Sequence, residues 1–167
     1  RERDRNEPDA DGTHGTIGTL ERALAIDSSY AGAGAVTAAA LADVYLWEVA
    51  GDLNLKEVGS ATGDVALTAD GAILSAMPGL LNVRGNNLTL AAGARIGTEA
   101  AWLRIDSSYA ADGVLRATGN GDIYLEEVEG DLHVYQVLSG NAGDLWLTAG
   151  GAMYNWAPER LINLWAR

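Results

Sequence analysis

The sequence predicts an all-β chain: a parallel β-helix, or β-solenoid, of about eight coils of about 20 residues each. Two observations carry this prediction, and a third supports it. The chain of 167 residues is close to two copies of one block, with elements recurring at a shift of 79. Short apolar-x-apolar triplets, each led by Gly, Asn or Asp, recur inside the block, and that alternation marks a strand with one buried face. Helical periodicity is weak throughout.

Ile26-Asp27-Ser28-Ser29-Tyr30 returns as Ile105-Asp106-Ser107-Ser108-Tyr109, and Asp43-Val44-Tyr45-Leu46 as Asp122-Ile123-Tyr124-Leu125. Gly51-Asp52-Leu53 returns as Gly130-Asp131-Leu132, and Ile17-Gly18-Thr19 as Ile96-Gly97-Thr98. One residue is inserted after Ser139, so Gly63-Asp64-Val65-Ala66-Leu67 matches Gly143-Asp144-Leu145-Trp146-Leu147 at a shift of 80. Block one runs from about residue 15 to 93 and block two from 94 to 167, within a single solenoid over 15–167. Residues 1 to 14 are polar, lack a strand pattern and read as a tail or linker.

Each triplet is one strand. The inward residues include Val44, Leu46, Leu53, Leu55, Val65, Leu67, Leu88 and Leu90, and in block two Ile123, Leu125, Leu132, Val134, Leu145 and Leu147. A single coil leaves its apolar face bare, so coils stack at roughly 4.8 Å and roof one another. Asp, Asn and Gly ahead of each strand suit bends, because they tolerate left-handed backbone and bond to it locally. Glu21 to Ala25 has the length of one helical turn, but its block-two counterpart leads straight into Ile105-Asp106 as a strand does. Pro158 to Arg167 fits a short helix or the start of another coil. The coil is preferred, because Leu161-Ile162-Asn163-Leu164 echoes Leu80-Leu81-Asn82-Val83.

Composition narrows the function. The net charge of -12 argues against a nucleic-acid binder, which needs a positive surface to meet phosphates. There is no Cys, which excludes disulfides, thiolate metal sites and a cysteine nucleophile. No apolar run reaches the length of a transmembrane helix, so membrane insertion is not expected.

Gly85-Asn86-Asn87-Leu88-Thr89-Leu90-Ala91-Ala92-Gly93, Gly121-Asp122-Ile123-Tyr124-Leu125-Glu126-Glu127-Val128 and Gly143-Asp144-Leu145-Trp146-Leu147-Thr148-Ala149-Gly150-Gly151-Ala152 together resemble the repeat region of filamentous-haemagglutinin-like giant bacterial exoproteins and adhesins. The likeness covers most of residues 15 to 155. It implies a parallel β-helix, secretion or cell-surface location, and a structural or adhesive stalk with no catalytic residues to carry over. Five Trp make this chain richer in aromatics than such a stalk is expected to be.

The candidate chemistry is sparse. Asp27 and Asp106 read as turn-capping residues, with a cation or sugar contact as the alternative. The strand-leading Asp43, Asp52, Asp64, Asp122, Asp131 and Asp144 raise the question of calcium. A Gly-rich calcium motif must recur every nine residues, and here it does not, so no cofactor is expected. Glu126, Glu127, Glu129 and Asp131 form an acidic cluster that reads as a solvated face; paired carboxylates could otherwise cleave glycosides. His14 and His133 lie in unrelated contexts.

The aromatics are the preferred candidates. Alternation points Tyr45, Trp47, Tyr124, His133, Tyr135 and Trp146 outward, as surface contacts for lateral self-association or for a glycan. Sheet edges at the ends of a solenoid add end-to-end stacking into filaments. The sequence thus predicts a non-enzymatic stalk segment. The alternative is a carbohydrate-binding or carbohydrate-cleaving β-helix protein.

Overall fold

The computed structural model describes residues 15–109, 111–159 and 161–166; the tail expected at residues 1 to 14 lies outside them. The described residues form fifteen strands and no helix. In order these are β1 (Leu24–Ile26), β2 (Val36–Ala40), β3 (Val44–Glu48), β4 (Leu53–Ser60), β5 (Val65–Ala69), β6 (Ile73–Ser75), β7 (Val83–Arg84) and β8 (Leu88–Ala92). Block two supplies β9 (Leu103–Asp106), β10 (Val114–Gly119), β11 (Ile123–Glu127), β12 (Leu132–Ser139), β13 (Leu145–Ala149), β14 (Met153–Asn155) and β15 (Leu164–Trp165).

The chain winds alternately through two facing sheets. One runs β1-β3-β5-β8-β10-β12-β14, with β15 beside β14 on β12; the other runs β13-β11-β9-β7-β4-β2, with β6 beside β7 on β4. Neighbouring strands within both sheets are parallel. The solenoid has about six turns of about 22 residues, rather than eight of about 20. The difference has a simple cause. Each turn contributes a triplet to each sheet, and turn length varies: Val44 pairs with Val65, Val65 with Leu88, and Leu88 with Leu115.

The core is a set of rows running along the axis. Val44, Val65, Leu88, Leu115 and Val134 stack in register in the first sheet, all 5% exposed or less. Val58, Val83, Ile105, Glu127 and Ala149 form a row in the second. Removing such side chains from water, at about 25 cal/mol per Å², is the main drive to stack turns that have no fold singly.

Hydrogen bonds between turns hold the register. Asp43 Oδ1 accepts from Asp64 N at 2.9 Å, Asp64 Oδ1 from Asn87 N at 3.0 Å, and Asn87 Oδ1 from Val114 N at 3.1 Å. Asp52, Asp122 and Asp131 do the same for Ala72, Asp144 and Ala152. The strand-leading Asp is therefore a turn-to-turn clip. Gly63 makes room for one of them, since a Cβ there would lie 2.3 Å from Asp43 Oδ1.

β4 and β12 share a bulge. The register against β2 slips between Val36 and Thr37, and that of β10 against β12 slips between Leu115 and Arg116, leaving Lys56 and Tyr135 as the extra residues. At each bulge an asparagine side chain from the next turn adds donors to two adjacent carbonyls, the first of which also accepts a backbone N–H, from Ala76 at Leu55 O and from Trp156 at Val134 O. Asn82 Nδ2 donates to Leu55 O and Lys56 O, and Asn163 Nδ2 donates to Val134 O and Tyr135 O. The echo between residues 161–164 and 80–83 is therefore structural, and residues 161–166 continue the coil, with β15 on β12.

The two blocks do not superpose by a whole number of turns. β3 lies in the first sheet, and its counterpart β11 in the second. From β3 to β11 the chain crosses between sheets seven times, so one block makes three and a half turns. Equivalent residues of the two blocks thus lie on opposite faces.

Candidate functional site on the outer faces

The duplicated Ile-Asp-Ser-Ser is a turn. Asp106 Oδ1 accepts from Ser108 N and Oγ, and Asp27 Oδ1 does the same with Ser29. Ser107 N donates to Glu127 Oε1 at 2.9 Å and Ser107 Oγ to Oε2 at 2.6 Å. Ser28 makes the equivalent bonds to Glu48.

This corrects the reading of Glu126, Glu127, Glu129 and Asp131 as one solvated face. Glu127 follows the inward parity of Ile123 and Leu125 and is only 1% exposed, between Ile105 and Ala149 in the core row. Burial pushes its carboxyl up to about 7; the Ser107 bonds oppose the rise, and the charge of Asp106 adds to it. Glu126 points outward and pairs with Arg104 at 3.2 Å. No group of three His, Asp or Glu is placed to hold a metal among the described residues.

The six aromatic candidates do lie on the outer faces, but they divide between the two sheets. Tyr45 and Trp47 (β3) and His133 and Tyr135 (β12) are on the first; Tyr124 (β11) and Trp146 (β13) are on the second. Two of them are not exposed. Tyr124 is 8% and His133 7% exposed, because residues on neighbouring turns cover them. The Tyr124 ring lies flat against Trp146, with centroids 4.2 Å apart and planes 3° apart, and meets Trp102 edge-on at 5.6 Å. His133 packs against Tyr154 at 5.4 Å and Trp156 at 4.5 Å. Burial raises the Tyr124 hydroxyl pKa, with Asp122, Glu99 and Asp144 adding to the effect.

Trp47 and Trp146 remain partly open, and Trp47 Nε1 donates to Asp70 Oδ1 at 3.3 Å. Tyr45 and Tyr135 come together across a groove of about 530 Å³ on the first sheet. Tyr45, Ala66, Thr89 and Arg116 occupy one row across β3, β5, β8 and β10. Ala66 and Thr89 are short, so the groove deepens between Tyr45 and Arg116. The Arg116 guanidinium lies 3.8 Å from the Tyr135 ring centroid. Asp64, Asn87 and Asp112 line the same groove. Burial raises the Tyr45 hydroxyl pKa, and the nearby Asp43 and Asp64 carboxylates raise it further.

Alternation along a strand located the outward aromatics but not Arg116, Thr89 or Asn87. What could have found them is the difference between the blocks, where Ala23 and Ala66 stand in the places of Trp102 and Trp146. In comparisons with known proteins, no family model, no curated protein and no solved structure matches the chain.

Proposed function

We propose that this chain is a non-enzymatic structural and adhesive stalk segment of a large secreted or cell-surface bacterial protein of the filamentous-haemagglutinin-like kind. The observation that supports the reading most is the use made of the polar side chains. Asp43, Asp52, Asp64, Asn82 and Asn87, with Asp122, Asp131 and Asn163 in block two, tie one turn to the next. A scaffold repeats such residues in every block, whereas an enzyme gathers unusual ones in a single turn. Glycoside cleavage is disfavoured by the same geometry, since Glu127 is buried against Ser107 and Glu126 is paired with Arg104.

Extension is the test. Each further block joined in register adds three and a half turns, or roughly 17 Å of rod at the spacing of paired strands. Chains carrying extra blocks are expected to lengthen by that step in negative-stain images, and to leave a panel of acidic polysaccharides intact. A particle whose long axis does not grow would overturn the reading. So would polysaccharide turnover that disappears in Glu126→Gln or Glu127→Gln.

A further inference from the structure

Tyr45 and Tyr124 are equivalent residues with unlike surroundings. Beside Tyr124, one turn before and one turn after, stand Trp102 and Trp146, and the Trp146 indole covers one face of the tyrosine ring. The residues beside Tyr45 are Ala23, next to Leu24 in the register of β1 with β3, and Ala66. Among the described residues no aromatic ring stacks on Tyr45. Where block two carries an indole, block one has a slot over Ala66, and the half-turn offset puts that slot on the opposite face from the filled stack.

The slot opens into the groove described above. Its floor is Ala66 and Thr89, and its far wall is Arg116 against Tyr135. Three strand spacings along the row separate Tyr45 from Arg116, roughly 14 Å. The volume of about 530 Å³ falls in the range of small-molecule sites. The polar groups lie to one side. Asp64 Oδ1 takes the Asn87 backbone and side-chain N–H groups, both at 3.0 Å. No donor bonds Asp64 Oδ2 among the described residues, so that oxygen retains its accepting capacity.

A flat apolar ring beside a shallow floor, with carboxylates and an amide along one rim, matches the two-sided chemistry of a sugar. A pyranose offers a C–H face to a ring and hydroxyls at its edge. We propose that this groove binds a short oligosaccharide lying across β3, β5, β8 and β10. One sugar unit stacks on Tyr45 over Ala66, in the place that Trp146 takes on Tyr124. Hydroxyls donate to Asp64 and Asp112, and Arg116 donates to an oxygen of the unit at the far end. The proposal is argued from the chain's own duplicate and does not rest on the stalk reading.

The test uses the full chain on an array of immobilised neutral, amino and acidic oligosaccharides. The wild type is expected to retain at least one class. Ala66→Trp fills the slot with the ring that block two already accommodates. It is expected to weaken binding of that class by tenfold or more while leaving the unfolding transition in place, and Tyr45→Ala is expected to weaken it comparably. Trp146→Ala, on the opposite face, is expected to leave binding unchanged. Retention of no oligosaccharide by the wild type would overturn the proposal. So would retention that survives both Ala66→Trp and Tyr45→Ala, or that is lost only with Trp146→Ala.

Discussion

Replacing Glu127 with Gln should make the chain more stable at neutral pH and leave it unchanged in acid. The carboxyl lies in a core row between Ile105 and Ala149, and burial lifts its pKa from 4.5 to about 7. An acid with a raised folded pKa stays protonated in the folded chain while the unfolded chain ionises. Folding therefore loses free energy as pH climbs from about 4.5 to about 7, and the loss is constant above that. At about 1.4 kcal/mol per tenfold change, the full penalty is about 3 kcal/mol.

Glutamine carries no charge and keeps both partners: its Oε1 accepts from Ser107 N, and its Nε2 donates to Ser107 Oγ. The assay is urea unfolding of wild type and Glu127→Gln at matched pH values from about 4 to about 8.5. Taking the difference between the two chains removes the background titration of the other carboxylates. That difference should be near zero in acid and grow to about 3 kcal/mol in favour of the variant by about pH 8. Ser107→Ala removes a donor that favours the carboxylate, so the wild-type loss should continue to higher pH in that variant. A difference that stays flat across the range, or that grows toward acid, would refute the buried-carboxylate reasoning.

Asn82→Ala removes the side-chain donor to Lys56 O and the acceptor of Arg104 N, while Leu55 O keeps Ala76 N, and should cost about 1 to 2 kcal/mol in urea unfolding. Asn163→Ala, at a half-buried position, should cost less. Ala142 holds a left-handed φ of 59° beside the one-residue insertion, so Ala142→Gly should gain up to about 1 kcal/mol, a rise of a few degrees in thermal midpoint. Trp146→Ala removes the flat stack on Tyr124 and should cost about 1 kcal/mol beyond the lost burial, read as a lower urea midpoint.

The winding of the chain was legible in the sequence because its cause is local. Val44, Leu53 and Leu67 each begin or end an inward, outward, inward triplet, and all three are buried in the same core. The number of turns was less legible, because a triplet does not announce which of two sheets it joins. The fate of the aromatics was hidden for a related reason. Tyr124 and Tyr45 look alike along the strand, and what covers them is decided about 22 residues away, at Trp146 or Ala66. Glu127 was misread because its charge outweighed its parity: Ile123, Leu125 and Glu127 alternate in step, and the turn at Ser107 supplies the donors that let a carboxyl follow the apolar pattern inward. The pairing of Asn82 with the bulge needed the register slip at Lys56, which no local pattern records.

The three-and-a-half-turn block has a consequence for any longer chain built from it. Like leaves set alternately on a stem, a feature carried once per block emerges on the left and then on the right, and returns to its own side only after two blocks, roughly 34 Å further along. Partners attached to one flank are thereby kept apart without any spacer sequence. A sheet-like layer of such stems could be gripped from both surfaces by one and the same motif.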